Sequence, residues 1–380
     1  MLLPNYRILP VLYALALPVA AAGLSDPFDT TGMAPLKPSP QLAARVGDAP
    51  CTNTLPATGL TAIDAVDLAL CNNPQTREVW AAARVQAAMV GVAQSAWLPD
   101  LDAKLTSGRN FTEARNFNQS SAALTLSWLV FDFGQRSANI ENARQLLSAA
   151  AATQNATVQN LFLAALQSYY TAQAARAAVV STTEAERAAR ESFAAAESRY
   201  SVGAGTPADR LQAQTALSQA TLNRIRSEGD ARNALGVLAN AMGFDAQQSI
   251  VLGEIPRATP ELAFQNDVDA LIQEARNRRP DLKSAEAQVK AAEASVEVAR
   301  AQGLPSVSLS TGPLWQDIGG VSANTGNIGM TLSVPIFSGF ETSYRVRSAE
   351  AQVDLRAAQL DRLRNQVALD VWKAYQNLNT

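Results

Sequence analysis

The sequence predicts a mainly α protein that carries two β-hairpins and is built by duplicating one helix–hairpin–helix unit. Three observations carry this prediction. Landmarks recur at a fixed offset of 206 residues: Asn72-Asn73-Pro74-Gln75 against Arg278-Arg279-Pro280-Asp281, Trp97-Leu98-Pro99-Asp100-Leu101 against Gly303-Leu304-Pro305-Ser306-Val307, and Val130-Phe131 against Ile336-Phe337. Inside each copy the hydrophobic period switches from 3.6 to 2, the change from helix to strand. From Gln135 to about Ser201 there is no proline or glycine, room for roughly 100 Å of helix at 1.5 Å per residue.

Composition agrees with long helices and excludes several functions. The 380 residues include 72 alanines, with 47% hydrophobic and 17% charged residues. Alanine in this quantity favours closely packed helices over a thick aromatic core. The net charge of −3 leaves no basic surplus to neutralise phosphates, so nucleic acid is not an expected partner. The absence of histidine and the presence of only two cysteines exclude His-based triads, His metal sites and Cys-rich zinc clusters. No cofactor or metal is expected.

Residues 1–22 read as a secretory signal. Arg7 supplies the positive end, Ile8 to Leu17 the apolar stretch, and Ala20-Ala21-Ala22 the cleavage site. Residues 23–58 read as an extended segment rich in Pro, Gly, Asp and Thr. Export permits a disulfide between Cys51 and Cys71, and closing that loop stabilises by roughly 3 kcal/mol.

The first copy is assigned to residues 59–245, a linker to 246–265 and the second copy to 266–380. Leu101, Ala103 and Leu105 alternate with Asp102, Lys104 and Thr106. Ala122, Leu124, Leu126, Trp128 and Val130 form the next such row. Val307 and Leu309 alternate with serines, and Ile328, Met330, Leu332 and Val334 close the set. This predicts hairpins over about 100–131 and 306–337, joined by polar loops Ser107 to Ser121 and Gly312 to Gly326. Pro99 and Pro305 mark the switches from helix to strand; Gly134 and Gly339 mark the returns to helix. A long helical hairpin over 135–242 breaks at Gly203-Ala204-Gly205-Thr206-Pro207, with Thr206 as N-cap and Asp209 in the first turn.

About ten residues is the length of a strand that crosses an outer membrane at a tilt. Trp97, Trp128, Phe131, Phe133, Phe337 and Phe340 cluster where strands meet helices, a position that suits an interfacial girdle. Asp100, Asp102 and Asp132 read as solvated carboxylates near strand ends. Four strands cannot close alone, and an open edge cannot exist in lipid. Two copies give eight strands with a filled interior, and three give twelve, the smallest set with a lumen.

These residues resemble the TolC-like outer-membrane channel proteins over roughly 60–380. The resemblance lies in the duplicated unit, in the corner Ser127-Trp128-Leu129-Val130-Phe131-Asp132-Phe133-Gly134, and in the tip Arg199-Tyr200-Ser201-Val202-Gly203-Ala204-Gly205-Thr206-Pro207-Ala208-Asp209. Leu70-Cys71-Asn72-Asn73-Pro74-Gln75-Thr76-Arg77 is similar to the CyaE-type branch, which serves toxin secretion. The resemblance implies a homotrimer in the outer membrane of a Gram-negative bacterium. Its twelve-stranded β-barrel would continue into a periplasmic α-barrel. It implies a passive duct for type I protein secretion or multidrug efflux, docked on a periplasmic adaptor (membrane fusion protein) and an inner-membrane ABC or RND-type pump. Val202, Gly203, Gly205, Thr206 and Asp209 would then touch the adaptor.

By the repeat's own logic the second copy ends on a truncated long helix, so the chain is expected to be a fragment or a natural truncation. The family's gate residues are expected beyond residue 380. The alternative is a soluble periplasmic coiled-coil adaptor, which would lack a duplicated pair of lipid-length strands. An enzyme is disfavoured, since no phosphate loop or metal-ligand spacing is present. A diffusion porin is disfavoured by the long helix.

Overall fold

The computed structural model describes residues 26–35, 54–56, 59–112, 116–254 and 267–379. The signal segment and Cys51 lie outside the described residues. In chain order the elements are α1 (Ala62–Asn72), α2 (Pro74–Ser95), β1 (Asp100–Phe111), β2 (Asn116–Phe131), α3 (Gln135–Ser201) and α4 (Pro207–Ala241). The second copy follows with α5 (Val268–Arg278), α6 (Pro280–Ala301), β3 (Ser306–Ile318), β4 (Val321–Ser333) and α7 (Glu341–Asn379). The starts of α1, α2, β1 and α3 recur at α5, α6, β3 and α7 with the same offset. Among the described residues, no helix is long and apolar enough to cross a membrane.

The chain divides into two compact units. Among the described residues the first runs over 26–35, 84–148 and 287–358 and holds all four strands. They form one sheet in the order β1-β2-β3-β4, every neighbouring pair antiparallel. The strands run past the lengths read from the sequence. Ser107 lies in β1 paired with Ser120, Ser121 lies in β2, and Gly312 in β3 sits opposite Asn327 in β4. The polar stretches read as loops are therefore mostly ladder, with Glu113-Ala114-Arg115 outside the described residues and Gly319-Gly320 turning β3 into β4. In the other direction β4 stops at Ser333, short of Phe337. Within this unit the helical turn Thr30–Met33 interrupts the stretch read as extended. Its Thr30 methyl lies against the backbone of α2 at Gly91.

Among the described residues the second unit runs over 54–83, 149–286 and 359–379. Its core joins Leu60, Leu68, Tyr169, Leu238, Met242 and Leu252, with Ile250 and Phe244 packed against them. Beside it Val66, Ala69 and Leu70 of α1 meet Leu161 and Ala165 of α3. Part of the stretch read as linker is thus structured, and Leu252 forms a parallel bridge with Leu60. Gln173 and Arg176 hold this segment by donating to the carbonyls of Gly253 (2.8 Å) and Leu252 (2.9 Å). Thr61 and Asp64 cap the start of α1 reciprocally.

Candidate functional site: an open sheet, its corners and a helical tip

The strand register sorts the side chains of the sheet into two faces. Leu101 pairs with Leu126, Ala103 with Leu124 and Leu105 with Ala122. On the same face Trp128 pairs with Leu309, Leu309 with Met330, Val307 with Leu332 and Thr311 with Ile328. The opposite face carries Asp100, Asp102 and Lys104 of β1, Thr125 and Ser127 of β2, Ser308 and Ser310 of β3, and Thr331 and Asn327 of β4. One face is an apolar band; the other is mostly small and polar, interrupted by Leu129, Leu314 and Ile318.

No side chain in the four strands is buried. Ile328 is 79% and Met330 76% exposed. A soluble sheet would cover an apolar face with another layer. Here, among the described residues, neither face is covered, and β1 and β4 each leave a ladder edge unpaired.

Two corners lead from strand to helix. At the first, Asp132 and Arg136 are only 5% and 4% exposed and form an ion pair at 3.0 Å. Asp132 was expected to be solvated. It is buried because Arg136 answers its charge and the backbone N–H of Arg136 donates to it at 2.8 Å. The guanidinium also donates to the carbonyls of Ala96, Leu129 and Val130, beside a β-bulge between Leu129 and Phe131. It stacks 4.1 Å from the Trp97 ring centroid. Arg136 was not singled out from the sequence, although its i,i+4 spacing to Asp132 was a usable signal.

The six aromatics lie at these corners. Trp97 and Trp128 are joined by a 3.0 Å bond from the Trp128 indole N–H to the Trp97 carbonyl. Phe131 and Phe133 meet edge to face at 4.8 Å, and Phe337 and Phe340 do so at 5.5 Å. All six are exposed. Pro99 and Pro305 each follow a short turn that ends the preceding helix. Gly134 and Gly339 both have positive φ, at 94° and 64°. Each sits beside a phenylalanine that also has positive φ, in the order Phe133-Gly134 in one copy and Gly339-Phe340 in the other.

In the second unit, α3 from Ala149 onward and α4 form the long hairpin. Gly203 turns at φ 75°, and the N–H of Ala204 closes back on the Arg199 carbonyl at 2.8 Å. Thr206 and Asp209 cap α4 reciprocally, with Pro207 at its first position. Hydrogen bonds from the Thr206 hydroxyl and backbone hold the Asp209 carboxyl below its ordinary range. Gly205 lies close to the backbone at Tyr200, and Val202 is exposed. Farther along, the Glu186 carboxylate accepts from Arg224, from Arg190 (2.7 Å) and from the Thr221 hydroxyl (3.1 Å). The Arg224 bond chiefly lowers its titration. Cys71 lies in α1, and among the described residues no cysteine is a free thiol. Its expected partner Cys51 lies outside them.

An unclosed, two-faced sheet on long helices defines the class: a subunit of an outer-membrane β-barrel channel. The sequence profile of the outer membrane efflux protein family matches residues 65–244 and 271–380. The chain belongs to that family. It is 32% identical over 330 residues to Protein CyaE of Bordetella pertussis, covering 84% of this chain and 69% of that one. It is 24% identical over 312 residues to the outer membrane efflux protein BepC of Brucella suis biovar 1, covering 81% and 67%. The CmeC outer membrane channel of Campylobacter jejuni superposes with a TM-score of 0.72 at 19% identity, covering 94% of this chain and 81% of that one. At that identity the structural likeness establishes the fold alone. The chain is an outer-membrane channel subunit that reaches into the periplasm, and the soluble-adaptor reading is set aside.

Proposed function

We propose that three copies of this chain join their sheets edge to edge into a twelve-stranded barrel that serves as the exit duct of a tripartite export system. The observation that carries this reading is the sheet itself: among the described residues it has two faces of contrasting polarity, both uncovered, between two unpaired edges. Lipid meets the apolar face and water the polar one. Only closure removes the edges, and twelve strands is the smallest multiple of four above the filled eight-stranded barrel. An inner-membrane ABC or RND-type pump supplies the energy through a periplasmic adaptor. The chain performs no chemistry in this scheme and offers a passive path. Likeness to the alkaline protease secretion protein AprF of Pseudomonas aeruginosa and to the outer membrane efflux protein BepC supports cargo that is either secreted protein or an effluxed compound.

Other roles follow from the same reading. The exposed tip around Val202, Gly203, Gly205, Thr206 and Asp209 receives the adaptor. The aromatics of the two corners lie at the membrane interface. Cys71 bridges to Cys51 and ties the N-terminal segment to α1; peptide mapping without reductant tests this bond.

The chain, produced in a Gram-negative host and purified from its outer membrane, is reconstituted in planar bilayers. The expected result is an oligomer of three that conducts ions. A water-soluble monomer with no affinity for bilayers, or an oligomer without conductance, would sink the proposal.

A further inference from the structure

The duplication provides an internal control on the strand-to-helix corner. At the same offset Trp97 answers to Gly303, Trp128 to Val334, Asp132 to Ser338 and Arg136 to Thr342. In the first copy these four side chains act as one unit: Arg136 pairs with Asp132, stacks on Trp97 and takes three carbonyls, while Trp128 bonds the Trp97 backbone. In the second copy the place where Trp97 meets Arg136 is kept with other residues. The Thr342 methyl stands 2.6 Å from where a Cβ on Gly303 would lie. A tryptophan there would collide with the threonine, and a threonine in place of Arg136 could not reach the carbonyls at the bulge. The members differ between the copies as a set.

Burying a guanidinium is costly unless its donors are satisfied, and its planar fork then fixes its partners in space. The partners of Arg136 belong to the turn that follows α2 (Ala96) and the last residues of β2 (Leu129, Val130), while its own backbone lies in the first turn of α3. One side chain therefore ties together the three elements that meet at the corner. We propose that Arg136, held by Asp132, is a positioning residue of the duct. It sets the direction in which the first hairpin leaves its helices, while the second corner relies on close packing of Gly303 and Thr342. This rests on the reading of the sheet as one third of a pore.

The test uses the reconstituted chain and reads two quantities, the yield of heat-stable oligomer and the single-channel conductance of what assembles. Arg136→Lys keeps the charge and loses the fork. It is expected to lower oligomer yield about fivefold and to shift the conductance of surviving channels. Arg136→Thr and Trp97→Gly alone are expected to be at least as damaging. Combining Trp97→Gly, Trp128→Val, Asp132→Ser and Arg136→Thr installs the second copy's set, and is expected to restore yield to within about twofold. Full function of Arg136→Lys, unaltered conductance in every variant, or a combined variant no better than its worst single member would each overturn the positioning role. Absence of channels from the unmodified chain would instead strike the pore reading itself.

Discussion

Phe133 and Phe340 hold left-handed backbone, at φ 50° and 66°, where a side chain other than glycine costs roughly 1–2 kcal/mol. Their neighbours Gly134 and Gly339 avoid that penalty, and a Cβ added at either would meet nothing within 4 Å. Gly134→Ala is therefore a pure backbone test, and we expect it to cost about 1–2 kcal/mol, read from the denaturant midpoint of the purified channel. At the tip, Asp209 titrates below the ordinary aspartate value because the folded capping box stabilises its charged form. Its contribution is complete above about pH 4 and disappears as pH falls through the lowered value. Amide exchange at residues 208–210 should accelerate over that acid range, and Thr206→Ala should remove the dependence at a cost of about 1 kcal/mol. The capping pair was legible in the sequence because its partners lie three residues apart. The burial of Asp132 was not, because it depends on a bulge and on Ala96, distant in the chain.

Helices were the most legible elements, since proline and glycine mark their ends and alanine fills their length. The turn between α3 and α4 lies where Gly203 to Pro207 placed it. Strand ends were less legible. Ser107, Asn110, Asn118 and Ser121 are polar and were read as loop, yet they pair across β1 and β2. A strand that has left the hydrocarbon can be polar on both faces and still complete its ladder. The clasp of Glu186 with Arg224 and Arg190 was also invisible, because Glu186 and Arg224 meet only once the hairpin folds back. Glu186→Gln should loosen the middle of the hairpin, raising amide exchange along α3 about tenfold near that position. Equal exchange in the variant would show that helix packing alone holds the pair.

For the molecule as a whole, the two faces of the sheet make opposite forecasts. Ile328→Arg puts a charge on the apolar face, where it should cost about 2–4 kcal/mol near the bilayer midplane and abolish recovery from the membrane fraction. Thr331→Arg, on the polar face of the same strand, should insert normally and change conductance. Reversal of the two results would mean that the sheet is turned the other way. That four strands cannot close by themselves was readable from the strand count alone, whereas the unequal corners emerged only from the folded chain. The offset between the copies holds steady from end to end of the hairpin. Letters have traded places across it, as in the swapped Phe-Gly and Gly-Phe pairs, but the tally of residues from Pro74 to Phe131 equals that from Pro280 to Phe337. In a pleated ribbon, parity decides which solvent each side chain meets. A single inserted residue within β1 or β3 would turn every position beyond it from oil to water, so this molecule can absorb a misspelling there more readily than a miscount.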